Sequence, residues 1–431
     1  MIKRITLKTL AIGLMTLLLA IPSANAQYMQ NWVAQYNGPA PIPGWEPADW
    51  VTDMAVRDGY VYVTGYESAT TAYWATVKYD YSGQELWVQR LVDGQSQTAE
   101  ALAIDEAGNV YVTGYQKQFS AGGDVATMKY SPDGDSLWKQ IYASPGGNNQ
   151  PNDITIDASG NIYIAGASWV AAQQDFDLLL LKYDSNGNLL WDRTLDNGDG
   201  QLDSGYELDI DPYGNAIVAG YTEPNPYLVK YSPTGDLLWQ DEHVGFSTND
   251  EWKRVETDSV GNIYVLGEIS PPGEPNHLWT AKYDTDGNIL WEDNYTGTAD
   301  ESCYTGNLAI MPDGGLVITG QSWDMPSSDS SYISIVTIRY ALDGTKLWQQ
   351  LERVRYAHAN GDDVAIDAEG NIYITGFGYN YTYWEDIITL GYSPDGELLW
   401  SQIYAGPEPD QSDYPKAIAV DENANVFVTG S

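Results

Sequence analysis

The chain has 431 residues, of which 60 are acidic and 20 are lysine or arginine, for a formal net charge of −40 at pH 7. Such an acidic surface repels nucleic acid and anionic lipid, so it excludes these partners and favours cations or basic proteins. The only cysteine, Cys303, excludes an internal disulfide, and stability must therefore come from packing.

Residues 1–26 predict a secretory signal peptide. Three basic residues within the first eight precede an apolar run over residues 10–21, and residues 24–26 (Ala-Asn-Ala) give the small-x-small pattern of a cleavage site. The apolar run, about 12 residues long, is too short to cross a bilayer. We therefore expect cleavage near Ala26, no membrane insertion, and export to the periplasm, the cell surface or the medium.

A phrase such as "DEAGNVYVTG" recurs along the chain. Its final glycine returns every 47 to 56 residues, at Gly65, Gly114, Gly166, Gly220, Gly267, Gly320, Gly376 and Gly430. A tryptophan returns in the same way, at Trp32, Trp87, Trp138, Trp191, Trp239, Trp291, Trp348 and Trp400. A period of this length indicates a repeat architecture.

The unit over residues 152–195 contains four predicted strands. "DITID" alternates apolar and polar residues, "IYIAGA" follows a short turn, and "FDLLLLKYD" and "NLLWDRTL" flank the turn "SNG". Four strands with tight turns after the first and third form an antiparallel meander. The unit is too small for a separate sandwich, and helical periodicity is absent, which leaves a β-propeller.

Seven repeats are complete, and an eighth is divided between the two ends of the sequence. "QNWVAQYNGP" from Gln30 is a fourth strand without its blade, and "VFVTGS" at the other end completes a first and second strand only. We predict an all-β, eight-bladed propeller over residues 27–431, in which residues 28–36 form the outer strand of the blade of residues 416–430. The third strand of that blade is missing from the pattern, so either the blade has a gap or the chain is truncated at its C-terminus; we favour truncation.

Features present in every repeat are interpreted as scaffold. The glycine of the "PDG" and "SNG" turns permits the positive φ of a tight hairpin, and the tryptophan four residues later can cover the neighbouring sheet. A basic residue before tyrosine in the third strand is interpreted in the same way, at Lys78, Lys129, Lys182, Lys230, Lys282 and Arg339.

The segments "QNWVAQYNGP", "AIDEAGNVYVTGY" and "MKYSPDGDSLW" resemble the SBBP (beta-propeller) repeat family of exported bacterial proteins, over residues 28–431. The resemblance implies a secreted or cell-surface propeller and brings no assigned reaction and no catalytic residues. The Gly-x-x-x-Trp spacing, as in Gly187 to Trp191, is also similar to the tryptophan-docking repeat of pyrroloquinoline-quinone propellers. Cys303 alone cannot form the vicinal disulfide that those quinoproteins often carry.

The sequence contains no motif for catalysis, cofactor binding or a metal site. His243, His277 and His358 fall in different repeats without ligand spacing, and we expect them in surface loops. "DTDGN" from Asp284 resembles part of an EF-hand loop but is interpreted as a plain turn. We therefore predict no cofactor and no metal ligands, with at most weak calcium binding by the acidic loops.

In such a meander the connections after strands two and four lie on one face of the disc, and those after strands one and three lie on the other. The first kind vary in sequence, whereas the second are short repeated turns. The tryptophans outside the repeat position all fall in or next to the variable connections, at Trp45, Trp50, Trp74, Trp169, Trp252, Trp279, Trp323 and Trp384. Exposed aromatic residues on a rigid scaffold are typical of recognition surfaces.

The third, sixth and seventh repeats contain the candidate ligand-binding residues. The aromatic candidates are Trp169, Trp323, Tyr379, Tyr381 and Trp384, and the carboxylates expected to accept sugar hydroxyls are Asp175, Asp324 and Glu385. The hypothesis is a monomeric binding module for a glycan or a protein partner. Two alternatives stay open: a glycan-active lyase or hydrolase with a carboxylate pair on this face, and a periplasmic assembly scaffold resembling quinoprotein-like propellers without cofactor.

Overall fold

The computed structural model describes residues 15–20, 30–36, 48–68, 72–92, 96–117, 122–144, 146–196, 202–222, 225–243, 250–297, 302–327, 330–353, 359–380, 384–406 and 411–431. Throughout these ranges the protein is built from β-strands and turns, as predicted, and has no helix. A helix able to span a membrane is accordingly not found in them.

The described part of the chain forms 32 strands. The first ten are β1 (Met15–Ala20), β2 (Gln30–Tyr36), β3 (Ala48–Arg57), β4 (Tyr60–Ser68), β5 (Ala72–Asp80), β6 (Glu85–Leu91), β7 (Ser96–Ile104), β8 (Val110–Lys117), β9 (Gly123–Tyr130) and β10 (Ser136–Tyr142). The next twelve are β11 (Asn149–Ile156), β12 (Ile162–Val170), β13 (Asp175–Tyr183), β14 (Leu189–Leu195), β15 (Asp203–Ile210), β16 (Ala216–Thr222), β17 (Asn225–Tyr231), β18 (Leu237–Glu242), β19 (Glu251–Thr257), β20 (Ile263–Ile269), β21 (His277–Tyr283) and β22 (Ile289–Tyr295). The last ten are β23 (Cys303–Ile310), β24 (Leu316–Ser327), β25 (Ser330–Tyr340), β26 (Lys346–Arg353), β27 (Ala359–Ile366), β28 (Ile372–Asn380), β29 (Trp384–Tyr392), β30 (Leu398–Tyr404), β31 (Pro415–Val420) and β32 (Val426–Gly430).

Seven antiparallel sheets, each made of four consecutive strands, form blades 1 to 7, beginning at β3, β7, β11, β15, β19, β23 and β27. A further sheet, the terminal sheet, joins both ends of the chain in the order β2-β1-β32-β31. The first strand of each blade contacts that of the next, and β31 contacts both β27 and β3, so the sheets follow one another around a ring.

The core lies between adjacent sheets. In β13, Leu178 and Leu180 pack against blade 4, whereas Leu179 and Leu181 pack against blade 2. Alternate side chains of a strand point to opposite faces, so a strand buried on both faces needs an unbroken apolar run such as "LLLL". The middle strands of the blades are therefore fully covered by their neighbours.

The repeat tryptophans of blades 1 to 6 dock on the next sheet. Trp87 Nε1 donates to Pro132 O at 3.1 Å, and Trp138 Nε1 donates to Ser185 O at 3.2 Å. The same contact to the second residue of the next blade's β-turn is made by Trp191, Trp239, Trp291 and Trp348. Gly134 of the turn under Trp87 has φ of 91°, and a Cβ there would lie 2.9 Å from the indole ring. Glycine is thus required both for the turn and for the docked ring, which confirms the predicted scaffold role.

The repeat lysines reinforce the same contact. Lys78 Nζ donates to Pro132 O at 2.8 Å, the acceptor that Trp87 uses, and Lys129 shares Ser185 O with Trp138. Partial burial lowers the pKa of Lys129, whose ammonium lies 4.8 Å from the centre of the Tyr111 ring. These lysines therefore join adjacent blades, as the scaffold interpretation predicted.

The N-terminal strand occupies the predicted outer edge of the terminal sheet. Trp32 Nε1 donates to Tyr81 O of blade 1 at 2.8 Å, which is the same docking contact as between the other blades. The third-strand position, expected to be missing, is filled by Met15–Ala20, which pairs with both β2 and β32. This strand lies within the predicted signal peptide, whose removal stays a prediction.

Candidate functional site

The ring has two faces, which differ in their connections. The loop face carries the connections after the second and fourth strands, and the turn face carries the short turns after the first and third strands. Asp284, at the start of one of these turns, accepts the N–H groups of Asp286 and Asn288, both at 2.9 Å. This confirms that "DTDGN" is a plain turn.

The candidates on blades 6 and 7 lie on adjacent blades of the loop face. Trp384 is 39% exposed at the start of β29, and Trp323 is half-buried, with an indole N–H that has no acceptor among the described residues. Tyr379 and Asp324 belong to described strands, but their side chains lie outside the described part of the structure, as does the whole of Tyr381.

Glu385 is held by the segment that leads into the terminal sheet. Its carboxylate accepts the hydroxyl of Ser412, and its carbonyl accepts the N–H of Asp413 at 2.7 Å. Tyr414, next along this segment, packs edge-on against Phe377 of blade 7, with ring centres 5.1 Å apart. The start of β29, with Trp384 and Glu385, is therefore held by hydrogen bonds to the segment that leads into the terminal sheet.

Blade 3 carries a separate pair of candidates. Trp169 is half-buried and packs edge-on against Phe176, with ring centres 5.1 Å apart. Asp175 is only 3% exposed, so it is withdrawn from the surface and offers little to a sugar hydroxyl. Blades 4 and 5 separate this pair from the candidates on blades 6 and 7, so the candidates whose side chains are described fall into two groups.

Three tryptophans that sequence reasoning placed on the recognition face belong to the core. Trp74, Trp252 and Trp279 are at most 2% exposed. Trp252 and Trp279 pack on each other, with ring centres 4.3 Å apart. For these residues the expectation of exposure is wrong, because they begin strands whose first residues already lie between two blades. Trp45 lies outside the described residues.

The histidines also differ from expectation. His277 is 7% exposed as the first residue of β21, and His243 is half-buried against Trp279, with ring centres 4.1 Å apart. The prediction of surface loop positions is therefore wrong for His277. His358 lies outside the described residues.

Exposed aromatic side chains that sequence reasoning did not select also lie on the loop face. Within the described ranges, five aromatic residues are strongly exposed: Trp50 at 44%, Tyr213 at 64%, Tyr304 at 38%, Trp384 at 39% and Tyr414 at 40%. All except Tyr213 lie on the loop face, on blade 6, blade 7, the terminal sheet and blade 1. These four sheets are consecutive in the ring, and we call Tyr304, Trp384, Tyr414 and Trp50 the aromatic arc.

The turn face is less uniform in chemistry than its repeated sequence suggested. The outer strands begin there with exposed apolar side chains, including Leu189 and Leu190 of blade 3 and Leu398 and Leu399 of blade 7. These residues recur at the two positions of the repeat directly before the docked tryptophan. The turn face thus carries a repeated apolar rim, which the sequence analysis did not single out.

Carboxylates on the first strands line the centre of the ring. Asp53 accepts the N–H of Met54 at 2.7 Å and that of Leu102, in the next blade, at 2.8 Å. Asp153 and Asp363 make the same pair of bonds, to Leu208 and Ile418 respectively in their next sheets. Each of these aspartates directly follows a β-bulge, which turns its side chain toward the neighbouring strand. We call Asp53, Asp153, Asp363 and their neighbours Glu207, Asp209, Glu256 and Asp362 the channel carboxylates.

The environment of the channel carboxylates favours their neutral forms. Withdrawal from water raises the pKa of Asp53 to about 6, those of Glu207 and Asp362 to about 7, and that of Glu256 to about 8. The charges of Glu207 and Asp209 add to the increase at Glu256, which the N–H of Ile310 opposes. Glu207 and Glu256 also line an open cavity of about 310 Å³. Because these oxygens already accept backbone N–H groups between blades, their geometry is explained by support of the ring.

A second group of carboxylates lies where blade 3 meets blade 4. Asp177, Asp196 and Asp203 each place one oxygen within 4.8 Å of the others. Burial, the charge of Asp196 and then the charge of Asp175 raise the pKa of Asp177 to about 6. Sequence reasoning found only the neighbouring Asp175, because Asp177, Asp196 and Asp203 come together only through strand pairing and blade contact.

Three segments of the chain, residues 86–115, 137–171 and 399–431, match the SBBP family, described as a beta-propeller repeat. The uncharacterized WD repeat-containing protein L264 of Acanthamoeba polyphaga mimivirus is 23% identical over 395 residues, covering 74% of this chain and 27% of that protein. The chain thus spans little more than a quarter of this curated relative.

Similar solved structures include a PL25 ulvan lyase, which is 14% identical with a TM-score of 0.47 and covers 89% of this chain and 91% of its own. A prolyl endopeptidase is 14% identical with a TM-score of 0.48, covering 88% of this chain and 54% of its own. A eukaryotic initiation factor is 9% identical with a TM-score of 0.43, covering 90% and 96%. Similarity at this level carries no argument about activity.

Proposed function

We propose that this chain, which contains SBBP beta-propeller repeats, is an exported, monomeric eight-bladed propeller that binds a glycan through its loop face. The aromatic arc is the observation that carries the proposal. Four of the five strongly exposed aromatic side chains in the described ranges lie on consecutive sheets of that face. Such a grouping of rigid aromatic surface on one side of a scaffold is typical of recognition.

The chemistry of the arc suits a sugar ring. The C–H face of a sugar can stack on the exposed indoles of Trp50 and Trp384. Glu385, the next residue after Trp384 in β29, provides a carboxylate that can accept hydroxyl groups. A basic protein is the second partner that the aromatic and acidic surface would suit, through cation–π contact and charge steering. Ionic strength separates the two, because salt screens the attraction of a basic protein and leaves a neutral glycan unaffected.

The count of eight blades is part of the proposal. Its support is Trp32, which docks on blade 1 in the way that Trp87 of blade 1 docks on blade 2. With β1 in place the terminal sheet acts as the eighth blade and leaves the ring without a free edge. In a mature chain that begins at Gln27 the position of β1 is open, and the docking of Trp32 then holds β2 on blade 1.

Export with cleavage near Ala26 predicts a definite N-terminus. We expect the protein recovered from the periplasm or medium to begin at Gln27, as measured by intact mass. Cleavage there would also remove Met15–Ala20 from the terminal sheet, so the same mass shows whether β1 is present in the mature protein. An exported protein that retains residues 1–26 would contradict the signal peptide.

Alanine variants of the arc test the binding face. We expect Trp384→Ala and Trp50→Ala to weaken binding of a glycan identified on an array by about 1–3 kcal/mol each, with little change in folding. Tyr213→Ala is the matched control, because Tyr213 is an exposed aromatic residue on the turn face. Affinity is measured by calorimetry at low and high salt.

Two results would count against this proposal. If Tyr213→Ala loses the ligand while both arc variants keep it, the binding face is the turn face. If the array shows no glycan and a basic protein binds with a rate that falls as salt rises, the ligand class is wrong. Trp169→Ala and Trp323→Ala extend the series to the half-buried candidates, for which we expect smaller effects.

A further inference from the structure

Four aspartates on the loop face converge between blades 3 and 4. Asp175 and Asp177 are two residues apart on β13, so their side chains point to the same side of the sheet. Asp196 directly follows Leu195, which pairs with Leu178, and it therefore lies beside Asp177. Asp203 is the first residue of β15, which packs on β13 from the next blade.

Their negative charge is not compensated by the protein at Asp175 and Asp177. Both carboxylate oxygens of Asp175 are buried, and neither has a hydrogen-bond partner in the described ranges. No lysine or arginine described in the structure forms an ion pair with Asp175 or Asp177. Asp175 lies two residues from Asp177 on the same side of β13, so its negative charge adds to that of Asp177. A buried ionised carboxylate without a partner is costly.

The neighbouring blade provides an internal comparison. Asp124 lies five residues before Lys129 in blade 2, as Asp177 lies five residues before Lys182 in blade 3. The positions that correspond to Asp175, Asp196 and Asp203 are occupied there by Gly122, Ala143 and Asn149. Blade 2 thus has one acid where blade 3 has four. The Asn149 side chain opposes the rise in the pKa of Asp124 that burial causes.

Blade 7 is intermediate between these two arrangements. Asp386 corresponds to Asp177, and Asp413 corresponds to Asp203, but the position of Asp196 is occupied by Ala405. Asp413 accepts the N–H of Gly406 at 2.6 Å. The full set of four acids therefore occurs at one junction among those described, and the repeat itself does not require it.

We propose that Asp177, Asp196 and Asp203, with Asp175 behind them, form a calcium site on the loop face between blades 3 and 4. Calcium takes six to eight oxygen ligands at 2.3–2.6 Å, so oxygens within 4.8 Å of one another can contact one ion without a change of backbone. Calcium sites of extracellular modules have Kd values on the order of 10⁻⁴ M, and we expect a value of this order here. The site is independent of the proposed glycan.

Terbium luminescence and calorimetry on the full chain test the site. Trp169 is next to Ser168, the register partner of Asp177, so it should sensitise a bound Tb³⁺ ion. We expect saturable Tb³⁺ emission that calcium displaces, calcium binding near one ion per chain, and a higher melting temperature in millimolar calcium than in chelator. Trp169→Phe should remove most of the emission and keep the calcium affinity measured by calorimetry.

The variant Asp196→Ala/Asp203→Asn gives positions 196 and 203 the residues that blade 2 has there, Ala143 and Asn149, and keeps Asp175. We expect it to fold, because blade 2 accommodates these two residues, and to weaken calcium binding at least about tenfold, since affinity follows the number of charged ligands. Asp196→Asn alone changes an exposed side chain, so it tests the site even if the double variant does not fold. Glu106→Gln, in an exposed turn, is the control for the loss of one negative charge.

The outcomes decide the proposal. Calcium binding lost in the Asp196 and Asp203 variants and kept in Glu106→Gln supports it. It is overturned if wild-type binding is absent or unsaturable, if the melting temperature is the same in calcium and chelator, or if Asp196→Asn binds calcium as tightly as wild type.

Discussion

A chain lacking residues 27–37 is expected to melt well below the intact protein, because this segment contains the strand that closes the ring. The deletion removes the docking of Trp32 on Tyr81 and also Tyr36, whose buried hydroxyl donates to Glu67 of blade 1. Without β2 the terminal sheet no longer contacts blade 1 through its outer strand, and an open edge is left.

A single substitution measures the same contact with less disturbance. Trp32→Ala removes an indole that packs on Gly83 and donates a hydrogen bond, a loss of about 2–4 kcal/mol. Trp87→Ala is the matched control, because Trp87 makes the equivalent contact with Pro132 between blades 1 and 2. Melting temperatures by calorimetry should fall by similar amounts in the two variants.

The comparison is decisive because both residues occupy one position of the repeat. If the N-terminal strand closes the ring, the two losses of stability should be similar, because both indoles make the same docking contact. A loss at Trp32 that is near zero, beside a large loss at Trp87, would falsify closure by this strand.

The docking contact was predictable from sequence for a physical reason. A tryptophan and a turn glycine recur in every repeat. The tryptophan of one repeat and the glycine of the next can therefore form the same contact at each junction between blades. Gly134 and Trp87 form such a contact. The Trp87 indole packs against Gly134 in space that a Cβ atom would occupy. The outer position of residues 30–36 follows from the same rule, since Trp32 needs a turn to dock on.

The sites that depend on register were not predictable in this way. Asp53, Asp153 and Asp363 turn toward the next blade because a bulge precedes each of them, and a bulge is not apparent in an alternating sequence. The grouping of Asp177, Asp196 and Asp203 combines two strands of one blade with the first strand of another. The sequence does contain a sign of each group. Asp53, Asp153 and Asp363 occupy the same position of their repeats, and the acids between blades 3 and 4 stand where blade 2 has neutral residues.

Exposure was the other property that the sequence could not decide. Trp50 and Trp252 both lie near the start of a first strand, yet Trp50 is exposed and Trp252 is completely buried. The difference is set by neighbours such as Trp279, which covers Trp252. A list of loop tryptophans therefore locates the loop face but does not tell which of its tryptophans are exposed.

The protein is expected to be more stable at pH 5 than at pH 8. The channel carboxylates Asp53, Glu207, Asp362 and Glu256 have pKa values raised to between about 6 and about 8, whereas unfolded aspartate and glutamate titrate near 3.8 and 4.5. Between these values the folded protein binds more protons than the unfolded chain. Their contribution is therefore fully present below pH 4 and is lost as the pH rises through 6 to 8.

Two kinds of charge modify this trend. Arg254 and Lys416 lie near the channel carboxylates and favour their ionised forms, which limits the loss at high pH. Hydrogen bonds lower the pKa values of turn aspartates such as Asp184 and Asp284, so stability also falls when the pH drops below about 4. The expected optimum lies between these limits, on the acidic side of neutrality.

Glu256→Gln isolates the effect at one channel carboxylate. The glutamine oxygen can still accept the N–H of Ile310, which Glu256 accepts at 2.9 Å, while the charge beside Glu207 and Asp209 is removed. We expect the variant to be more stable than wild type at pH 8, by on the order of 1 kcal/mol, and nearly equal to it at pH 5.

Glu106→Gln is the control, because it removes an equal charge from an exposed turn. It should leave the difference in stability between pH 5 and pH 8 as it is in wild type. Melting temperatures of the three proteins across pH 4.5–8.5 provide the measurement. A wild-type melting temperature that rises from pH 5 to pH 8, or a Glu256→Gln profile that parallels wild type, would show that the channel carboxylates are ionised at little cost to the fold.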